Sequence, residues 1–271
     1  MNPKTAVAIG VAVGIVAIAA LCVAVYYICV QSGAAAGTAT GQLRPPPLTY
    51  FRVNLKRRGD RKRAMEGEMA SAGIDRYTFI EAVDGKTLQL TPTLARTFKG
   101  NDFGSRKAVM GCALSHYTLW QALAKDARAY SIIFEDDVNL CADFTRKVDR
   151  VLSQAGTYDV IFLSYTMSPD VKKAHSEYWA LGAATGVDVR ALDKKLCIGG
   201  TMAYYVTRQG VQNMLAYWDT HGMKYAIDSA MVFAMPGLAL GECCPFLAST
   251  QSEESGDTDI GRVWDAFDLG A

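Results

Sequence analysis

The sequence predicts an α/β protein built on a parallel sheet that is covered on both faces. Its candidate strands are continuous apolar runs, as in YSIIF (130–134) and YDVIFLSY (158–165), and amphipathic helical segments separate them. Strands buried on both faces lack the polar–apolar alternation of a half-exposed strand. The chain has 271 residues, half of them hydrophobic, which is enough for one large domain or two small ones.

The predicted elements alternate between strand and helix along the chain. Strands are expected at 49–55, 77–83, 130–134, 158–165 and 196–207. Helices are expected at 60–72, 107–127, 143–155 and 208–218, and in the second and third of these the apolar residues recur on one helical face. Asp60 is the expected N-cap of the first helix and Gly73 its stop, while Asp84 and Gly85 are typical of a turn. Segment 171–191 is expected to be irregular.

Residues 6–30 are predicted to form a transmembrane anchor. They carry no charged side chain, and as a helix they would span roughly 37 Å, more than the ~30 Å hydrocarbon core of a bilayer. A cleaved signal peptide is the alternative. Its apolar region is usually about 7–15 residues long, so the length of this run favours the anchor.

Lys4 and the amino terminus supply the positive charge on the short side of the predicted anchor. This favours a cytoplasmic N-terminus and a single-pass type II protein whose C-terminal domain is lumenal or extracellular. The expected organisation is a tail at 1–5, the anchor at 6–30, a flexible stem at 31–47, the main domain at 48–262 and a C-terminal tail at 263–271.

Bulk charge and cysteine usage exclude little. The formal net charge is +1, so bulk electrostatics give no indication of a nucleic-acid partner. The cysteines beyond the predicted anchor lack zinc-like CxxC spacing, and their apolar flanks favour core positions. These cysteines are Cys112, Cys141, Cys197, Cys243 and Cys244.

Polar side chains follow three of the predicted strands. In parallel sheets, ligands bind beyond the carboxyl ends of the strands. Asn54, Asp84 and the acidic triplet 135–137 should therefore lie along one rim, which is the candidate active site. The basic cluster KRRGDRKR (56–63) follows the first strand and could hold a diphosphate. Its alternative is a helix start with solvated charges.

The triplet of Glu135, Asp136 and Asp137 is the main candidate for a cation site. If the strand continues, Glu135 and Asp137 point to one face and Asp136 to the other. Two converging carboxylates are ligands that suit Mg²⁺ or Mn²⁺, with water and substrate phosphates completing the shell. The alternative is a solvated acidic loop, or acids favoured at the start of the next helix.

A series of motifs resembles glycosyltransferase family 25 in order and spacing, over roughly residues 50–261. The motifs are VNLKRRGDR, FIEAVDG, AVMGCALSHYTLWQ, IIFEDDV, YDVIFLS, GGTMAYYVTRQG, YAIDSAM and TQSEESGDTDIG. The family includes bacterial lipooligosaccharide galactosyltransferases and animal procollagen galactosyltransferases. The resemblance implies a GT-A-like fold, in which a Rossmann-type nucleotide-binding sheet joins a C-terminal acceptor half.

The resemblance also implies roles for individual residues. Those expected near the nucleotide and the donor sugar are Asn54, Arg57, Arg61, the turn Ala82, Val83, Asp84 and Gly85, then Ser115 and His116. In the DxD-like triplet, Asp137 is the expected chief metal ligand, Glu135 shares its face, and Asp136 is expected to reach the ribose. Gln251 and Asp259 match the C-terminal signature.

The implied reaction is an inverting, Mn²⁺- or Mg²⁺-assisted transfer of a sugar, expected to be galactose, from a UDP-sugar to a hydroxyl of a protein or glycan. The cation would stabilise charge on the leaving diphosphate. An inverting reaction also needs a base for the acceptor hydroxyl. Asp228 is the candidate, with Glu254 and Asp257 in reserve; a structural cap is the alternative role for Asp228.

Two features differ from the patterns of the family. Bacterial members mostly lack an anchor, and the animal enzymes carry a second transferase-like domain and a retention tail. An anchored stem with one catalytic domain is typical of an enzyme facing the lumen of the Golgi or ER. A non-catalytic descendant that binds nucleotide-sugar or glycan, and a metal-dependent phosphohydrolase, are the alternative functions.

Overall fold

A computed structural model of the chain describes residues 49–179, 186–251 and 257–259. The predicted anchor, the stem and Glu254 lie outside these residues, so the expectations about them remain predictions. Within the described ranges, no helix combines the length and apolar character needed to cross a membrane.

The five predicted strands and the four predicted helices are all present, and the described residues also hold four further strands and three further short helices. The strands are β1 (Tyr50–Asn54), β2 (Tyr77–Glu81), β3 (Tyr130–Glu135), β4 (Val138–Leu140), β5 (Val160–Thr166), β6 (Asp188–Ala191), β7 (Gly199–Thr207), β8 (Leu240–Cys244) and β9 (Ala248–Thr250). The α-helices are α1 (Gly59–Ser71), α2 (Pro92–Thr97), α3 (Lys107–Ala124), α4 (Phe144–Gln154), α5 (Pro169–Ala174), α6 (Arg208–His221) and α7 (Ile227–Ser229). A 3₁₀ turn (Ser176–Trp179) follows α5, and a π-helical turn (Ala230–Ala234) continues α7.

The main sheet is mixed, so the prediction of a parallel sheet is only partly correct. Its strand order is β2-β1-β3-β7-β5-β8-β6. The pairs β1–β2, β1–β3 and β5–β8 are parallel, whereas β7 runs antiparallel to both β3 and β5, and β6 runs antiparallel to β8. The central strand β7 is buried on both faces, and its apolar run is the same whichever direction it takes.

Two further predictions about local structure were wrong. Helix α1 begins at Gly59 with Arg58 as its N-cap; Asp60 lies in the first turn, where its carboxylate accepts a hydrogen bond from Arg58 at 2.7 Å. The segment 171–191 was expected to be irregular, yet it holds most of α5 and all of β6. Strand β6 is a short polar edge strand, which lacks the apolar run on which the prediction depended.

Both faces of the sheet are covered, as predicted. Tyr204 and Tyr205 are neighbours on β7 and point to opposite faces. Tyr205 belongs to the core shared with Met65 of α1 and Val148 of α4, while Tyr204 contacts His116 of α3. The carboxyl ends of β1, β2 and β3 open between these layers and position the candidate site.

A buried carboxylate stabilises the far end of the sheet. Glu242 of β8 is fully buried and accepts hydrogen bonds from the hydroxyls of Tyr165 at 2.8 Å and Tyr178 at 2.6 Å, and from Arg190 Nε at 2.8 Å. We expect Glu242→Ala to lower the free energy of unfolding by about 3 kcal/mol, because two buried hydroxyls lose their acceptor. Urea denaturation measures this loss. The exposed control Glu177→Ala should change stability by less than about 0.5 kcal/mol, and equal effects would refute this role for Glu242.

Candidate functional site

A cavity of about 270 Å³ opens at the carboxyl ends of β1, β2 and β3, on the rim predicted to hold the active site. The structure brings most of the predicted site residues to its wall. These are Arg57, Arg61, Asp84, Ser115, His116, Glu135, Asp136, Asp137, Asp228 and Asp259. Asn54 lies next to the wall, where it bonds Asp136.

The acidic triplet does not continue as an extended strand. Strand β3 ends at Glu135, and the next two residues turn into β4. Arg61 Nη1 therefore lies 3.1 Å from Asp136 Oδ1 and 3.5 Å from Asp137 Oδ2, so the two aspartates face the same guanidinium. The predicted alternation, with Glu135 and Asp137 on one face and Asp136 on the other, was wrong because the chain turns immediately after Glu135.

Asp136 is held by protein side chains. Asn54 Nδ2 donates to its Oδ2 at 2.6 Å, and Arg61 donates to its Oδ1. Burial raises the pKa of Asp136, while the bonds from Arg61 and Asn54 oppose that rise. Asn54, Arg61 and Asp136 thus form one hydrogen-bonded unit that joins β1, α1 and the end of β3.

Glu135 faces a different set of groups. Thr201 of β7 donates to its Oε1 at 2.6 Å, and His116 Nε2 lies 3.6 Å from the same oxygen. Burial acts to raise the pKa of Glu135, yet His116, Thr201 and Arg61 together hold that pKa below its ordinary value. The carboxylate is therefore ionised at neutral pH. Thr201 was not among the residues predicted from the sequence.

Ser115 positions the turn 82–85, which was expected to lie near the nucleotide. Its Oγ accepts a hydrogen bond from Val83 N at 2.8 Å and donates to Gly111 O at 2.6 Å. A side chain on Gly111 would meet Val83 O at 2.5 Å and Gly85 N at 2.9 Å. Helix α3 and the turn therefore touch backbone to backbone, and the Ser115 hydroxyl is used in that contact.

This close approach leaves no room for a side chain at Gly111. We expect Gly111→Ala to lower the free energy of unfolding by about 1–3 kcal/mol and to displace the turn, because the added methyl group cannot fit. The matched control is Gly67→Ala in α1, where nothing lies within 4 Å of the new methyl group; it should stabilise by about 0.5–1 kcal/mol. Thermal and urea unfolding of both variants measure the difference. A Gly111→Ala protein as stable as the Gly67→Ala protein would show that the contact is not tight.

Three arginines and three acidic residues from distant parts of the chain meet where the cavity borders a smaller neighbouring one. Arg57 binds Asp84 at 2.7 Å and Asp259 at 2.8 Å, and Arg58 also binds Asp259 at 2.8 Å. Opposing the effect of burial, Arg57 and Arg58 hold the pKa of Asp259 below its ordinary value. Asp257 binds Arg58 and lies 3.7 Å from Arg61. Arg57 and Arg61 were predicted from the sequence, whereas Arg58, whose side chain is only 12% exposed through these contacts, was not.

Gln251 connects the C-terminal signature to the acidic triplet. Its backbone N donates to Asp137 O at 2.8 Å, and its Nε2 donates to Asn139 Oδ1 at 2.8 Å. These bonds extend the β4–β9 ladder to the turn that carries Asp137. Gln251 therefore positions the turn through its backbone.

Asp228, the candidate base, lies on the cavity wall at the junction of α7 and β7. Gly200 N donates to its Oδ2 and Ser229 N to its Oδ1, both at 2.7 Å. Burial raises the pKa of Asp228, and the two backbone donors limit that rise. Asp257 lines a smaller neighbouring cavity instead. The geometry thus places Asp228, rather than its reserve Asp257, on the wall shared with Glu135.

The carboxylates of this cavity fit a hard divalent cation. Asp137 borders both the main cavity and the smaller one, and it is buried at 7% exposure. Carboxylate oxygens are the ligands that Mn²⁺ and Mg²⁺ prefer, and such ions usually bind through one or two carboxylates with substrate phosphates completing the shell. Both Asp137 and Glu135 line the cavity and could supply such ligands, Asp137 from beside Arg61 and Glu135 from beside Thr201 and His116.

The chain belongs to glycosyltransferase family 25. The family model, described as glycosyltransferase family 25 (LPS biosynthesis protein), matches residues 48–231. This span includes the turn at 82–85, the acidic triplet and Asp228.

Similar proteins come from a giant virus and from animals. A protein of Acanthamoeba polyphaga mimivirus that is named a glycosyltransferase is 32% identical over 229 residues, covering 80% of this chain and 68% of the viral protein. Human procollagen galactosyltransferase 2 is 22% identical over 79% of this chain and 38% of its own length. A mouse protein named inactive glycosyltransferase 25 family member 3 is 25% identical over 79% of this chain and 40% of its own length. The chain thus spans about two thirds of the viral relative and about two fifths of these animal ones.

Proposed function

We propose that the chain is an inverting glycosyltransferase that transfers a hexose, galactose, from a UDP-sugar to a hydroxyl group of a protein or glycan. The observation that carries this proposal is the composition of the cavity. Carboxylates suited to a divalent cation, Asp137 and Glu135, lie beside arginines suited to a diphosphate, Arg57 and Arg61. Family membership and the name of the human relative support the choice of sugar.

The mixed sheet supports a GT-A-like arrangement for this reaction. The rim of β1, β2 and β3 would bind the nucleotide, with the turn 82–85 holding uracil or ribose. The opposite wall, formed by β7 and α7, would receive the acceptor. Asp228 lies on that wall, where a base would have to meet the acceptor hydroxyl.

The residues of the chain would perform three tasks. Arg57 and Arg61 would bind the diphosphate once their carboxylate partners give way. Asp228 would take the proton of the acceptor hydroxyl as that oxygen attacks the anomeric carbon. A Mn²⁺ or Mg²⁺ ion, held by Asp137 and Glu135, would supply charge stabilisation to the leaving diphosphate.

A second candidate function is binding of nucleotide-sugar or glycan without turnover. The mouse relative named inactive favours it, because it aligns with nearly the same share of this chain as the human galactosyltransferase does. The two functions share a cavity and differ in whether the bound donor is consumed.

A screen of UDP-sugars with the purified 271-residue chain, with and without Mn²⁺, tests these functions. For the transferase, we expect Mn²⁺-dependent UDP release that is faster from UDP-galactose than from other UDP-sugars. An acceptor should increase the rate of release from UDP-galactose further. Mn²⁺-dependent UDP binding without release from any sugar would support the non-catalytic function. Phosphate release from simple phosphate esters without sugar preference would support a phosphohydrolase and overturn both.

A further inference from the structure

We infer that Cys112, His116 and Glu135 form a binding site for a thiophilic divalent cation of the Zn²⁺ class in the wall of the cavity. One ligand atom from each residue (the thiol sulfur, an imidazole nitrogen and a carboxylate oxygen) lies within 4.8 Å of the other two. Within the described ranges, these three residues form the one such group. The site shares Glu135 with the all-oxygen pair proposed for Mn²⁺ or Mg²⁺, and it differs from that pair by its thiol and imidazole ligands.

The secondary structure explains why the three groups converge. Cys112 and His116 are four residues apart on α3, so they share one face of that helix. Glu135 is the last residue of β3, where the strand reaches the cavity. All three residues line the cavity. A cation held by them would therefore keep an open coordination position toward the ligand space, as three-ligand zinc sites do.

His116 carries the second, independent observation. The residue is fully buried, and its Nε2 has no hydrogen-bond partner among the residues that the structure describes. The distance from Nε2 to Glu135 Oε1 is 3.6 Å, which is within the range of an ion pair with a protonated ring but too long for a hydrogen bond. A buried ring nitrogen without a partner needs an explanation, and a bound cation provides one.

The other ring nitrogen of His116 is already oriented. Nδ1 lies 2.9 Å from the hydroxyl oxygen of Tyr204, which also accepts the indole N–H of Trp120 at 3.0 Å. In one tautomer, the Tyr204 hydroxyl donates to Nδ1 and Nε2–H faces Glu135; in the other tautomer, Nδ1–H donates to that oxygen and the Nε2 lone pair is left for a metal. Histidine ligands of metals are commonly fixed in this way through the nitrogen that does not bind the ion.

The ligand types define the cation. A thiolate, an imidazole and a carboxylate together favour Zn²⁺ and Co²⁺ over Mn²⁺ and Mg²⁺, which prefer oxygen. Binding forms a metal–sulfur bond and releases the thiol proton of Cys112 to solvent. The alternative is a histidine–glutamate ion pair beside a thiol that does not bind a metal.

Titration of the reduced 271-residue chain with CoCl₂ tests the site, since Co²⁺ reports thiolate ligation by a near-ultraviolet charge-transfer band. We expect one equivalent of Co²⁺ to give this band and ZnCl₂ to remove it. Cys112→Ser should abolish the band, and His116→Gln should weaken Co²⁺ binding about tenfold or more. The control Cys141→Ser, which changes a partly exposed thiol outside the cavity, should retain the band.

Two outcomes would overturn the site: folded wild-type protein that gives no thiolate band, or a Cys112→Ser protein that keeps it. The assay contains no nucleotide, so it is independent of the proposed transferase activity. A wild-type protein that gives no thiolate band but keeps Mn²⁺-dependent UDP binding rejects this cation site alone. A band without any UDP binding retains the site and rejects the proposed donor.

Discussion

Asp137→Asn is expected to abolish Mn²⁺-dependent UDP binding and to lower UDP release from the donor by at least about 100-fold. The change replaces a carboxylate oxygen by an amide nitrogen that cannot coordinate the ion. The cation would then lose the ligand that borders both cavities. Losses of this size are typical when one group that stabilises transition-state charge is removed.

Calorimetric titration with UDP, at fixed Mn²⁺ and without Mn²⁺, measures the effect. The control is Asp143→Asn, because Asp143 is exposed and its left-handed backbone conformation (φ 56°) tolerates asparagine. The control should bind UDP as the wild type does. Full Mn²⁺-dependent UDP binding by Asp137→Asn would show that the metal ligand lies elsewhere.

Asp228→Asn is expected to lower kcat by about 100- to 10,000-fold, the usual contribution of a general base, with a smaller change in the KM of the donor. Because burial raises the pKa of Asp228, the wild-type rate should fall as the pH drops through a value above that of an ordinary aspartate. The base must be ionised to accept a proton, so activity is present above that pKa and lost below it. The asparagine variant should lose this acidic limb.

The pH dependence of stability and of residual activity together separate a catalytic role of Asp228 from a structural one. The folded state binds the proton of this buried carboxyl more tightly than the unfolded state does, so its ionisation weakens folding as pH rises through the raised pKa. The asparagine variant would lack that titration but would also lose one of the two side-chain oxygens that accept from Gly200 N and Ser229 N. If residual activity keeps the wild-type acidic limb, Asp228 is a cap and not the base. Asp170→Asn, at an exposed helix start, is the matched control and should leave kcat unchanged.

The order of strands and helices was predictable because burial leaves a direct mark on the sequence. Runs such as 130–134 and 158–165 are apolar enough to specify buried strands, and the spacing within 107–124 specifies a helix facing the sheet. The direction of β7 was not predictable. An apolar run records that a strand is buried and does not record which way the chain enters the sheet. The short polar strand β6 carries no such mark.

The convergence of the candidate site residues on one cavity was predictable from the sequence, whereas their contact partners were not. The strand ends and the family motifs predicted that Asp84, Glu135 and Asp137 lie close together, and all three line one cavity. The turn after Glu135 changed which acids share a face, because a strand pattern gives no warning of where the strand stops. Thr201 entered through a pairing between strands that are distant in sequence, which a single chain read locally cannot reveal.

The ion pairs of Arg57, Arg58 and Arg61 affect how an anionic donor would bind beside them. Asp84, Asp257 and Asp259 already neutralise Arg57, Arg58 and Arg61. A diphosphate would therefore exchange with internal anions instead of entering an empty cationic pocket. Little net charge would be gained in such an exchange, and few small counterions would be released to solvent. The affinity for an anionic donor should therefore fall only slightly as ionic strength rises. A pocket of three unpaired arginines would instead lose affinity steeply with added salt.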